Sequence, residues 1–175
     1  MIQKILIAIS IPFFFLLQAC VFTSLELGNV IPNLMVLIVC VYGFFYGEKT
    51  GAICGFFAGL LMDIFFSEML GLNALIIMLI GYTNGGFSGL FYAEDIRLPL
   101  ILITLSDASF GLMYYISTFL MRGRLDFTAY SINVICPEIF YTLLVSLAIY
   151  PFLLGIDTLF KNYRIRKERE RQQDV

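Results

Sequence analysis

The chain has 175 residues, 60% of them hydrophobic, with a mean hydropathy of +0.90 and a formal net charge of −2. That composition excludes an ordinary soluble domain, and the length leaves little room beside the apolar runs for a soluble catalytic module. The near-balanced charge gives no reason to expect a nucleic-acid partner.

The apolar residues fall into six runs, which predict an all-α integral membrane protein with six transmembrane helices in one bundle. The first, residues 5–22, follows Lys4 and reads as a retained helix; Leu17-Gln18-Ala19-Cys20 resembles a lipoprotein cleavage site, but further spans follow rather than a soluble mature domain. A polar loop with Glu26 leads to Pro32-Asn33, which opens the second span at 34–46, since proline costs nothing in a first helical turn.

Residues 47–50 link this span to the third, 51–66, and so short a linker implies an antiparallel hairpin packed along a face of small residues. Gly43, Gly47, Gly51, Gly55 and Gly59 recur every four residues, and the next step lands on Asp63. On a helix, residues four apart drift by roughly 40°, so Gly51, Gly55 and Gly59 form one shallow groove ending at a carboxylate. In lipid, where apolar helices have no hydrophobic drive to associate, such a groove lets a second backbone approach closely.

The turn 67–71 enters the fourth span, 72–90, whose second half is softened by Thr83-Asn84-Gly85-Gly86 and is expected to face the interior. The loop 92–97 precedes the fifth span, 98–121, with Thr104, Ser106, Asp107 and Ser109 placed to bond across helices. After the charged loop 122–126 the last span, 133–160, carries Pro137 near its start and Pro151 inside, where a kink is expected. Residues 1–160 thus make the six-helix transmembrane domain, and 161–175 a basic cytoplasmic tail that can continue the last helix.

Six spans place Lys4, Lys49, Arg97 and the six basic residues of the tail on one side, against Arg122 and Arg124 on the other. The positive-inside rule puts both termini in the cytoplasm. Tryptophan is absent, leaving Tyr42, Tyr46, Tyr82, Tyr92 and Tyr163 for an aromatic belt.

Chemistry is sparse. Without histidine there is no Ser/His/Asp set, and no phosphate-cradling glycine loop follows a strand. Cys20, Cys40, Cys54 and Cys136 lie singly in apolar segments and read as small buried hydrophobes. No catalytic residue, metal site or cofactor is expected, and the chain reads as a non-enzyme. Of the intramembrane acids, Asp157 and Glu138 are expected to reach the interface. Asp63 and Asp107 lie deeper, as interhelical anchors or as part of a polar cavity or path. Asn73, Thr83 and Asn84 are the other residues that could line such a cavity.

Pro32-Asn33-Leu34, the glycines at 43, 47 and 51, Gly55-Phe56-Phe57-Ala58-Gly59-Leu60-Leu61-Met62-Asp63, Gly71-Leu72-Asn73-Ala74-Leu75 and Gly81-Tyr82 together resemble the signature of the MreD family of bacterial rod shape-determining proteins. The chain departs at Asn33, where many members carry an acid.

The resemblance implies a non-enzymatic scaffold of the cell-elongation complex for peptidoglycan synthesis, multi-pass in the inner membrane. Its implied partners are MreC, the actin-like MreB, the elongation transpeptidase and the SEDS glycosyltransferase, with membrane lipid around it. The family's fold resembles the S-component of energy-coupling-factor transporters, so the alternative reading is an S-component that captures a vitamin. Under the scaffold reading Pro32, Asn33, Gly51, Gly55, Gly59, Asp63 and Gly71 serve helix packing and partner docking.

Overall fold

A computed structural model describes residues 2–22, 30–67, 69–90, 96–120 and 127–173. The loop residue Glu26, the charged parts of the loops at 92–95 and 122–126, and the side chains of the tail lie outside the described residues. The elements are helical throughout: α1 (Ile2–Leu16), continued by a π-helical turn (Leu17–Phe22); α2 (Leu34–Tyr46); α3 (Glu48–Phe66); α4 (Leu72–Gly86); and α5 (Arg97–Tyr115), continued by Ile116–Leu120. The short α6 (Phe127–Tyr130), the π-helical Ser131–Ile135 and α7 (Cys136–Gln173) then follow without a non-helical residue between them.

Three of these helices are long and apolar enough to cross a membrane, Glu48–Phe66, Arg97–Thr118 and Ser131–Leu159; three shorter apolar helices, Leu6–Val21, Leu34–Tyr46 and Leu72–Gly86, accompany them. Outward faces rich in Ile, Leu and Phe, such as Ile53, Phe57, Ile64, Ile101, Leu105 and Phe152, are exposed, as lipid contact requires.

The core is built around α2. Its sequence is apolar on every side, and a helix without a polar face is stable only when surrounded. Residues 34–44 are accordingly all buried, with Leu34 to Val39 at 0% exposure, and α1, α3, α4, α5 and α7 all pack against it. At 13 residues it is about 20 Å long, well short of a hydrocarbon core of roughly 30 Å.

Its own N-cap residue and a side chain from the π-helical end of α1 finish its first turn. Asn33 Oδ1 accepts the Val36 N–H at 3.2 Å, and Gln18 Oε1 accepts the Met35 N–H at 3.1 Å. Its last turn ends at Gly47, whose φ of +87° is a conformation that suits glycine, and α3 begins at the next residue.

Several expectations are corrected here. α3 starts at Glu48, so the linker is one residue rather than four. The stretch Thr83 to Gly86 is regular α-helix, and the helix ends there instead of running to residue 90. Tyr42 is not a belt residue, being buried with its hydroxyl bonded to Ser10 Oγ, while the half-buried Tyr46 donates its hydroxyl to Asp157 Oδ1, both at 2.6 Å. Asp157 is therefore buried at 4% exposure rather than interfacial, held by a tyrosine 111 positions away. Cys40 and Cys54 are buried, but Cys20 and Cys136 are exposed.

Candidate functional site

The glycine groove of α3 is filled from within the chain. It is α4 that occupies it, rather than α2 alone. A Cβ placed on Gly51 would collide with the Gly81 carbonyl, one on Gly55 with the Ile77 carbonyl, and one on Gly59 with the Asn73 carbonyl and, at 2.5 Å, the Ala74 Cα. Each step of four up α3 meets a step of four down α4, so the two backbones run antiparallel and in contact over two turns. α2 joins them at one level, where Cβ atoms on Gly43 and Gly51 would come within 2.7 Å of the Gly81 carbonyl and the Gly43 Cα respectively. Gly85 continues the same face of α4 and lies against the Glu48 backbone at the turn between α2 and α3. The groove that the spacing offers to a partner is thus an internal packing seam.

Asp63 closes the seam. It is 0% exposed, and its carboxylate accepts three backbone N–H groups of the incoming helix: Gly71 and Ala74 on Oδ2 at 2.9 and 3.0 Å, and Asn73 on Oδ1 at 3.1 Å. These are the N–H groups that a helix start leaves without an intrahelical acceptor, and the negative charge lies at the positive end of the α4 dipole. Gly71, at φ +98°, makes the turn that points them at Asp63. The four-residue glycine period and the acid at its end therefore serve one purpose: close backbone packing, terminated by a cap.

The residues proposed to share a polar cavity are dispersed. Asn73 and Asn84 are both buried on α4, eleven positions apart, or roughly 16 Å along the helix. Thr83 is exposed and its hydroxyl donates to the Leu79 and Ile80 carbonyls of its own helix. Asn84 Nδ2 bonds the Ile80 carbonyl at 2.8 Å and Ser106 Oγ at 2.7 Å, tying α4 to α5. Thr104 and Ser109, expected to bond across helices, donate to their own i−4 carbonyls.

Asp107, next to Ser106, is 2% exposed at the junction of α2, α5 and α7. Asn33 meets α7 at that junction. The Asn33 N–H donates to the Thr142 hydroxyl at 3.0 Å and its Nδ2 lies 3.5 Å from Glu138 Oε1. Glu138 is half-buried against Asn33 rather than free at the interface. Among the described residues no group of three or more His, Cys, Asp or Glu side chains is placed to hold a metal ion.

A groove of about 510 Å³ runs between α1 and α3, lined by Ile7, Ile11, Ile53, Phe57, Leu60 and Ile64 among others. Its walls are almost wholly apolar, and Thr50 supplies a hydroxyl at one end.

These packing residues fall inside a family match. Residues 1–158 match the family described as rod shape-determining protein MreD. The chain belongs to the MreD family. Comparison with curated proteins and with solved structures gave no match. As an MreD-family member the chain is a membrane protein of the rod shape-determining class, in accord with its three long apolar helices. Within it, Gly51, Gly55, Gly59, Asp63 and Gly71 hold α3 to α4, and Pro32 and Asn33 start α2. The hydrogen bonds from Tyr46 to Asp157 and from the Met35 N–H of α2 to Gln18 carry no local sequence signal, and sequence reasoning misses them.

Proposed function

We propose that this MreD-family chain is a non-enzymatic scaffold of the bacterial cell-elongation complex, working beside peptidoglycan synthesis and binding MreC, with MreB, the elongation transpeptidase and the SEDS glycosyltransferase in the same assembly. The observation that carries the reading is the family match over residues 1–158, almost the whole hydrophobic part of the chain.

The polar side chains support it. Asp63, Asn33, Asn84, Tyr46 and Asp157 are engaged in holding helices together, as a rigid assembly platform requires. With the glycine seam occupied by α4, partner contact falls to the outward surface. In this reading the six apolar helices all lie in the inner membrane, in an arrangement like that of an S-component, with both termini cytoplasmic.

Depletion of the protein from its host is the direct test. Cells that round up, and recover rod shape when the wild-type chain is restored, support the proposal. Cells that keep their shape and width through prolonged depletion refute it.

A further inference from the structure

Of the buried acids, Asp63 is satisfied by three N–H groups and Asp157 by Tyr46. Asp107 is different. At 2% exposure, neither of its carboxyl oxygens takes part in a hydrogen bond. The Thr142 hydroxyl and the Asn33 amide face it without closing a bond to it. Asn33 is held in place by other work: its Oδ1 caps α2, its backbone N–H goes to Thr142, and its Nδ2 leans toward Glu138.

Glu138 lies close enough to Asp107 for the two carboxyl groups to act on one another electrostatically. Thr142 stands one helical turn beyond Glu138 on α7, so it and the glutamate share a face.

What this junction lacks, among the described residues, is positive charge. The chain has no histidine, and the one basic residue on α5 is Arg97, exposed at the helix start and ten positions from Asp107, roughly 15 Å along the axis. The other titratable groups around the pair are the Cys40 thiol from α2, near Asp107, and the Tyr130 hydroxyl ahead of α7, near Glu138, with Tyr114 of α5 behind Tyr130. None of them brings a cation. Two carboxyl groups inside a membrane bundle are costly without a compensating positive charge.

We propose that Asp107, Glu138 and Thr142 form a binding site for a single monovalent cation, a proton or a sodium ion held between the two carboxyl groups. Asp107, deep and unpartnered, is the anchor. Glu138, half-buried, is the side from which the cation enters. The ligands are hard oxygens, which suit a proton or an alkali ion, and they are too few for an all-protein divalent cage.

The test uses the full-length protein in detergent or nanodiscs. Thermal unfolding is followed as sodium chloride is replaced by choline chloride at constant ionic strength, and infrared difference spectra are recorded for protonated carboxyl groups. Wild type, Asp107→Asn and Glu138→Gln are compared; Glu138→Gln sits at the half-buried position and keeps the test open should the deeper variant fail to fold. A melting temperature that rises with sodium but not choline, and loses that dependence in the variants, assigns the site to sodium. A sodium-independent melting temperature with a protonated-carboxyl band in the wild type that either variant removes assigns it to a proton. Neither sodium dependence nor a variant-sensitive carboxyl band overturns the proposal.

Discussion

Gly59→Ala adds one methyl group at the Asp63 end of the α3–α4 seam. The new Cβ would stand 2.5 Å from the Ala74 Cα and 2.6 Å from its backbone nitrogen, with the Asn73 carbonyl closer still. All three are backbone atoms, so no rotamer change relieves the collision, and α4 must withdraw by about 1 Å to restore ordinary contact. That shift loosens neighbouring atom pairs along the seam and lengthens the three hydrogen bonds from α4 to Asp63.

Overpacking of this kind costs about 1–3 kcal/mol. Replacing glycine by alanine inside a helix returns up to about 1 kcal/mol. With cap distortion added, the net loss is about 2 kcal/mol, a fall in melting temperature of roughly 4–8 °C for a chain this size. The control is Gly155→Ala, where nothing lies within 4 Å of the added Cβ and only the helix-propensity gain of up to about 1 kcal/mol remains. Thermal unfolding of both variants in detergent checks the difference. If Gly59→Ala melts with or above Gly155→Ala, the seam is not packed as described and the reasoning fails.

Asp63→Ala leaves three N–H groups at the start of α4 without their acceptor, those of Asn73 and Ala74 buried, and should destabilise by about 2 kcal/mol or more, read as a lowered melting temperature. Asp63→Asn keeps one acceptor oxygen and should fall between alanine and wild type. Tyr46→Phe and Asp157→Ala should each destabilise, and their double-mutant cycle should give a coupling of about 1–2 kcal/mol, because each removes the same part-buried bond. A membrane-permeant thiol reagent should modify the exposed Cys20 and Cys136 in the folded protein and reach Cys40 and Cys54 only on unfolding, as mass spectrometry of the labelled peptides would show.

The glycine period is readable in the sequence because four-residue spacing is itself a statement about one helix face. The identity of the helix that fills the groove is not readable from that period alone. Proximity along the chain favours α2, which a single residue joins to α3. The outcome depends on α4 presenting a matching bare line at Gly81 and Gly85, with the Ile77 and Asn73 carbonyls at the same level.

Asp63 stands out in the sequence as a deep acid. Its role as a cap emerges only once the turn at Gly71 folds α4 back against it. Asp157 is misjudged for a related reason: distance from the end of a long apolar run says nothing of rotation about the helix axis, and Tyr46, its partner, is 111 positions away. α2 was recognisable as apolar, but its place at the centre follows from having no polar side at all.

The most direct measurement of the central claim is co-purification. The tagged chain is extracted from its native membrane in mild detergent and the accompanying proteins are quantified by mass spectrometry against an untagged strain. The scaffold account predicts enrichment of MreC together with the wall-synthesis enzymes. Enrichment of an ATPase pair and a coupling membrane subunit, with no MreC, would contradict it and make the chain a transporter's substrate-binding component.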